Sequence, residues 1–128
     1  MRYGVVFETF ADRHFVRSFE KKYKGAWDRT RAALEVQYGF FDLLFEKSIV
    51  ETICDAESVK ICKTYFKIAG SQDSAKTSGN RCIVAVRKDV AEVRVLLVYA
   101  KTDVRGSRET DWWKSVVREN YSQYRDLI

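Results

Sequence analysis

Lys76-Thr77-Ser78-Gly79-Asn80-Arg81-Cys82-Ile83-Val84-Ala85-Val86-Arg87-Lys88-Asp89-Val90-Ala91-Glu92-Val93-Arg94-Val95-Leu96-Leu97-Val98-Tyr99-Ala100-Lys101 holds two runs rich in β-branched residues, joined by a short polar link. Such runs favour strands, because branched side chains pack well on a pleated surface. The spacing predicts strands over Asn80–Arg87 and Glu92–Lys101, with Lys88 to Ala91 as a hairpin connection. The polar stretch Gly70 to Gly79 precedes them as a loop, and Val59 to Ala69 reads as an earlier strand.

Working toward the N-terminus, Ser48 to Ser58 fits either a helix extension or a separate turn. Trp27, Leu34, Tyr38, Phe41 and Phe45 recur at helical intervals from about Ala26. Phe15, Val16, Phe19 and Tyr23 form an earlier helical face, with Asp12 as the expected cap of a helix starting at Arg13. The two patterns, separated by Gly25, suggest an α-hairpin. Tyr3 to Phe7 reads as an opening strand or as an apolar lead-in to the first helix. Toward the C-terminus, Val104 to Arg108 is a loop. A final helix follows from about Glu109, with Thr110 or Ser107 as cap and Trp112, Trp113, Val116, Val117 and Tyr121 as its apolar stripe. The expected fold is α+β: an N-terminal strand and helical hairpin packed on a small twisted antiparallel sheet, with a C-terminal helix. The helices are expected on one side of the sheet.

Bulk properties bound this reading. The 128 residues fit one domain, 1–128, and 46% hydrophobic content with 14% aromatics supports a packed core. With no proline and only 6 glycines, a long linker is not expected. The 23 basic against 18 acidic residues give a net charge of +5, which weakly favours a polyanionic or acidic partner. Cys54, Cys62 and Cys82 are odd in number and match no zinc spacing, so free, partly buried thiols in a reducing compartment are expected. The N-terminus lacks the apolar core of a signal peptide, and no stretch is long enough to span a membrane. A cytoplasmic protein without membrane partners is the expectation.

Common catalytic constellations are missing from the sequence. It has no phosphate-binding glycine loop, no trusted carboxylate pair, and a sole histidine, His14, read as structural or solvent-exposed. The basic residues of the second half carry the chemistry instead. Alternation places Lys63, Tyr65 and Lys67 on one face of their strand, expected to be open, while Thr64, Phe66 and Ile68 take the other. Lys76, Arg81, Lys101, Arg105 and Arg108 belong to neighbouring strands and loops, and Tyr99 shares a face with Lys101. Cations from three adjacent strands could converge on one rim, a pattern suited to a phosphate backbone and a stacked base. Charged side chains on a solvated sheet face account for it equally well.

The runs Lys76 to Val84 and Val95 to Lys101 resemble the paired strand motifs of HigB-type members of the RelE/ParE superfamily. The Phe15 to Lys24 segment and the helix after it are similar to that family's helical hairpin. The resemblance implies a toxin of a type II toxin–antitoxin pair that cleaves mRNA on the translating ribosome. The implied reaction is attack by a ribose 2′-OH on the adjacent phosphate, giving a 2′,3′-cyclic phosphate, with no metal or other cofactor.

By the same resemblance, Arg81 stabilises the phosphate and Lys76 holds the backbone. Lys101 could be a base only if its surroundings lowered its pKa. Tyr99 is a stacking platform, a proton donor or a core residue. Lys63 and Lys67 follow the family's habit of basic residues on this strand, and Arg105 and Arg108 extend the RNA-binding set. The implied partners are a cognate antitoxin and ribosome-bound mRNA. Three departures bear on catalysis: Gly79-Asn80 replaces a glycine pair, Thr102-Asp103 stands where some members carry another cation, and the Glu109 to Lys114 tail is unusually aromatic. A gyrase-inhibiting ParE-like toxin and an inactive binding relative are the alternatives.

Overall fold

A computed structural model describes residues 1–128. At its centre lies a five-stranded sheet in the order β1-β5-β4-β3-β2. The strands are β1 (Gly4–Phe7), β2 (Val50–Asp55), β3 (Lys60–Phe66), β4 (Asn80–Arg87) and β5 (Glu92–Ala100). β2 to β5 pair antiparallel, and β1 joins β5 in parallel. The helices are α1 (Thr9–Ala11), α2 (Arg17–Lys22), α3 (Ala26–Gly39), α4 (Phe41–Leu44) and α5 (Glu109–Asn120). A π-type turn over Asp12–Val16 makes α1 and α2 one continuous helical segment.

The β4–β5 hairpin lies where the sequence places it, and the α-hairpin forms from α2 and α3. Two expected caps do not. The first helix starts at Thr9, so Asp12 already has helical dihedrals, and its carboxylate pairs with Arg31 at 2.8 Å. The chain turns into helix two residues after β1, and Ala11 in that first turn is fully buried. Neither Thr110 nor Ser107 caps α5; Arg108 occupies the N-cap position without a side-chain hydrogen bond. The ambiguous segment 48–58 contains edge strand β2. A bulge between Thr52 and Cys54 breaks its alternation, which hides the strand period in the sequence.

The helices do not share one side of the sheet, contrary to the expectation. On the first face the hairpin residues Val16, Phe19, Trp27, Leu34 and Tyr38 pack over Cys62, Cys82, Val84 and Val98. On the second, Trp113, Val117, Tyr121 and Tyr124 from α5 and the turn after it pack over Ile61, Ile83, Ala85 and Leu97. The reason is visible in β4. Cys82 to Val86 is apolar at every position rather than alternating, which suits a strand covered on both faces.

A second bulge shapes the site. Ile83 pairs with Leu97 but Val84 pairs with Val95, so Leu96 is an extra residue in β5. Val93 and Val95 face the α-hairpin, whereas Leu97 and Tyr99 face α5. Tyr121 donates a hydrogen bond to the Leu96 carbonyl at 2.7 Å, satisfying a backbone group beside the bulge.

The three cysteines are free, and Cys62 and Cys82 are buried. Burial pushes the Cys62 thiol up to about 11 and the Cys82 thiol up to about 12, so both behave as small protonated core residues. His14 is exposed, its ring 4.8 Å from Phe10. No helix is long and apolar enough to cross a membrane.

Because Trp113 is fully buried in the second core, Trp113→Ala is expected to cost about 3–5 kcal/mol in urea unfolding. A loss below about 1 kcal/mol, the scale of an ordinary surface change, would contradict α5 as a core element.

Candidate functional site

Three aligned positions form the centre of the site. Tyr65 on β3 pairs with Arg81 on β4, and Arg81 pairs with Tyr99 on β5. Directly paired residues point to the same face, here the face under α5. Lys63, two residues from Tyr65, joins them. The Arg81 guanidinium lies 4.4 Å from the centre of the Tyr65 ring, with the Lys63 and Lys76 ammonium groups at 5.4 and 5.7 Å. A tyrosine ring among three cations draws them through its negative π-face.

The face expected to be open is covered. Lys63 is 8% exposed, Arg81 7% and Tyr99 2%. The first residue of α5 closes over them. One oxygen of Glu109, Oε2, receives Lys63 Nζ at 2.7 Å, Arg81 Nε at 3.3 Å and the Tyr99 hydroxyl at 2.7 Å. Burial alone would raise the Glu109 carboxyl. Hydrogen bonds from Lys63 and Tyr99, with the charges of Lys63 and Arg81, outweigh that and hold it below its ordinary value. Burial, then the bond and charge of Glu109, push the Tyr99 hydroxyl well above the usual tyrosine range.

These contacts reassign Tyr99. At 2% exposure its ring offers no stacking surface; it packs against Trp112 at 5.0 Å, and its hydroxyl is the polar end that reaches the site. Tyr65 is the more accessible ring, and its hydroxyl reaches Glu51 at 3.4 Å. Tyr65 was legible as a tyrosine between two lysines. Glu109 carried no sequence signal beyond being an acidic residue in a first helical turn, 28 positions from Arg81.

The remaining cations lie at one end of the sheet. β3 ends, β4 begins and β5 ends there, since Phe66 pairs with Asn80 and Asn80 with Ala100. Lys67, Lys76, Lys101, Arg105 and Arg108 are all exposed and form no ion pair. The Lys101 amide donates to the Gly79 carbonyl at 2.7 Å, which holds the Lys76 loop against the end of β5. Gly79 has φ +83°, a conformation that other residues adopt at a cost. The sequence set therefore divides in two: Lys63, Arg81 and Tyr99 meet at Glu109, and the other five form an exposed rim. Chemically, the inner group can neutralise an anion and donate a proton, while the rim can hold a polyanionic strand.

Between α2, the end of β5 and α5 lies a half-open cavity of about 320 Å³, which Tyr99 and Trp112 line from the side of the cluster. Phe15, Phe19, Tyr23, His14 and Asp103 complete most of its wall.

The depressed Glu109 carboxyl has a signed consequence. A carboxylate whose folded pKa lies below its unfolded value contributes stability above the unfolded value, near 4.3. That contribution disappears as pH falls through the folded pKa. Glu109→Ala is expected to cost about 3 kcal/mol at neutral pH, by leaving two buried cations without their counter-charge. The gap from the parent protein should shrink on acidification. Urea unfolding at neutral pH and at about pH 3, below the ordinary glutamate range, measures it; a gap that stays constant with pH would refute the ion-pair account.

No protein-family model matches this sequence, and no curated protein matches it. Its structure, however, is similar to the RelE chain in the crystal structure of the archaeal RelE–RelB complex from Pyrococcus horikoshii OT3. The TM-score is 0.53 at 11% sequence identity, over 81% of this chain and 100% of that one. With the mixed sheet, helical hairpin and terminal helix described above, this chain has the RelE fold.

Proposed function

We propose that the protein is the toxin of a toxin–antitoxin pair and cleaves mRNA on the ribosome. The observation that carries this reading is the Tyr65–Arg81–Tyr99 row with Lys63 beside it and a rim of unpaired cations at its end. It supplies what metal-free phosphodiester cleavage requires. Arg81 and Lys63 offset charge on the phosphorane, Tyr99 provides a hydroxyl donor near the leaving oxygen, and Lys76, Lys67, Arg105 and Arg108 hold flanking phosphates. Lys101, at the end of β5, is the proposed contact that orients the 2′-OH; the 2′-OH proton leaves to solvent water while the Tyr99 hydroxyl gives its proton to the departing 5′-oxygen. The motif resemblance over Lys76 to Lys101 supports the HigB-like assignment.

The fold neighbour was crystallised with RelB. A corresponding antitoxin is proposed here as an acidic protein covering the cationic rim. The site of action is proposed to be the cytoplasm, where ribosomes translate.

Purified protein incubated with ribosomes and a defined mRNA is expected to give discrete cuts ending in a 2′,3′-cyclic phosphate. Arg81→Ala should lower the cleavage rate at least about 100-fold, the usual cost of removing a charge-stabilising donor. Lys101→Ala should abolish growth arrest while the circular dichroism spectrum is retained. Intact transcripts with trapped gyrase–DNA complexes would replace this reading with gyrase inhibition. RNA binding without cleavage would leave an inactive relative.

A further inference from the structure

We propose that Glu109 is a resident stand-in for the RNA phosphate, and that the first turn of α5 must swing away before the site can work. The inference rests on the RNA-cleaving reading and concerns how that site is regulated. Lys63, Arg81 and Tyr99 converge on a single carboxylate oxygen at 2.7, 3.3 and 2.7 Å. A non-bridging phosphate oxygen presents the same target: one negative oxygen accepting several charged or hydroxyl donors. A phosphate and the Glu109 carboxylate cannot both occupy that position. The contacts that hold the carboxylate also lower its proton affinity, which makes it a weak acceptor for the 2′-OH proton.

The local structure allows the exchange. Residues 101–108 before α5 are exposed except for half-buried Val104, and Gly106 has φ +78°. α5 starts at Glu109 and its N-cap residue, Arg108, makes no side-chain hydrogen bond, so its first turn is held by the Glu109 contacts and the half-buried Trp112 ring rather than by a cap. Trp113 and Val117, fully buried one and two turns further on, anchor the rest. The first turn can therefore open while α5 stays seated on the second core.

Charge decides which ligand displaces Glu109. A tethered carboxylate competes at an effective concentration on the order of millimolar or above. A lone phosphate competes poorly with that. An RNA strand that also engages Lys67, Lys76, Lys101, Arg105 and Arg108 gains from several phosphates at once. The closed state thus discriminates against small anions and yields to a strand.

The test compares the parent protein with Glu109→Gln, which keeps the side-chain shape and removes the charge. The probe is a fluorescent single-stranded RNA carrying 2′-O-methyl groups, so that binding is read without cleavage. Glu109→Gln is expected to bind at least about tenfold more tightly, the scale of a removed competitor. In the parent protein, RNA should speed amide hydrogen exchange at residues 112–115, whose N–H groups donate to carbonyls of the 108–111 turn, and leave 117–120 protected. This second measurement needs no variant, so it decides the matter even if Glu109→Gln folds poorly. Equal or weaker RNA binding by a folded Glu109→Gln, or unchanged exchange at 112–115 on saturation with RNA, overturns the proposal. Ribosome-dependent cleavage is scored separately on the parent protein. Its absence alongside tighter Glu109→Gln binding removes the nuclease reading and not the stand-in; its presence with no Glu109 effect does the reverse.

Discussion

One extra residue in β5, Leu96, decides which face of the sheet Tyr99 meets. Strict alternation from Val93 and Val95 would carry Tyr99 to the α-hairpin side, among the apolar residues of the first core. The bulge between Val95 and Leu97 inverts the order, so Tyr99 stands beside Arg81 under α5. The remaining arrangement depends on that inversion. The cross-strand row Tyr65–Arg81–Tyr99 exists only because β5 slips by one residue against β4. Bulges re-aim side chains next to functional sites in many sheets, and this one performs that task here.

The second constraint is electrostatic. Burying Lys63 and Arg81 without a counter-charge would be strongly unfavourable. Glu109 resolves the problem for the folded chain, and it does so from a helix that the apolar second core already holds in place. Packing and charge are therefore coupled: Trp113 and Val117 seat α5, and the seated helix delivers its first residue to the cations. The five rim cations have no such internal partner and remain available to a polyanion.

Much of the fold was legible. The β4–β5 hairpin, the α-hairpin and the terminal helix follow from periodicity and β-branching, because local sequence patterns report which face each residue presents. Both misplaced caps have a common cause. A good capping side chain marks a possible helix start but does not fix it: the first helix begins three residues before Asp12, and α5 begins at Glu109 without a side-chain cap. The covering of both sheet faces was written in the unbroken apolar run of β4, but the lysines on the neighbouring strand suggested an open surface instead. Those lysines have different fates: Lys63 is buried against Glu109, while Lys67 lies beyond the end of β3 and is exposed.

The sequence by itself determined the α-hairpin, strands β3 to β5 and the terminal helix, since these depend on residue type and short-range spacing. Tertiary structure decided what the cations meet. Glu109 lies 28 residues from Arg81 and 46 from Lys63 along the chain. No local pattern links such positions, because their contact is made by a helix packing on the far face of a sheet. The bulge at Leu96 is equally invisible locally, since Val95-Leu96-Leu97-Val98 is apolar in either register. Only the pairing of β5 with β4, and the demand that Trp113 and Val117 be buried, selects the register that brings Tyr99, Arg81 and Lys63 to one carboxylate.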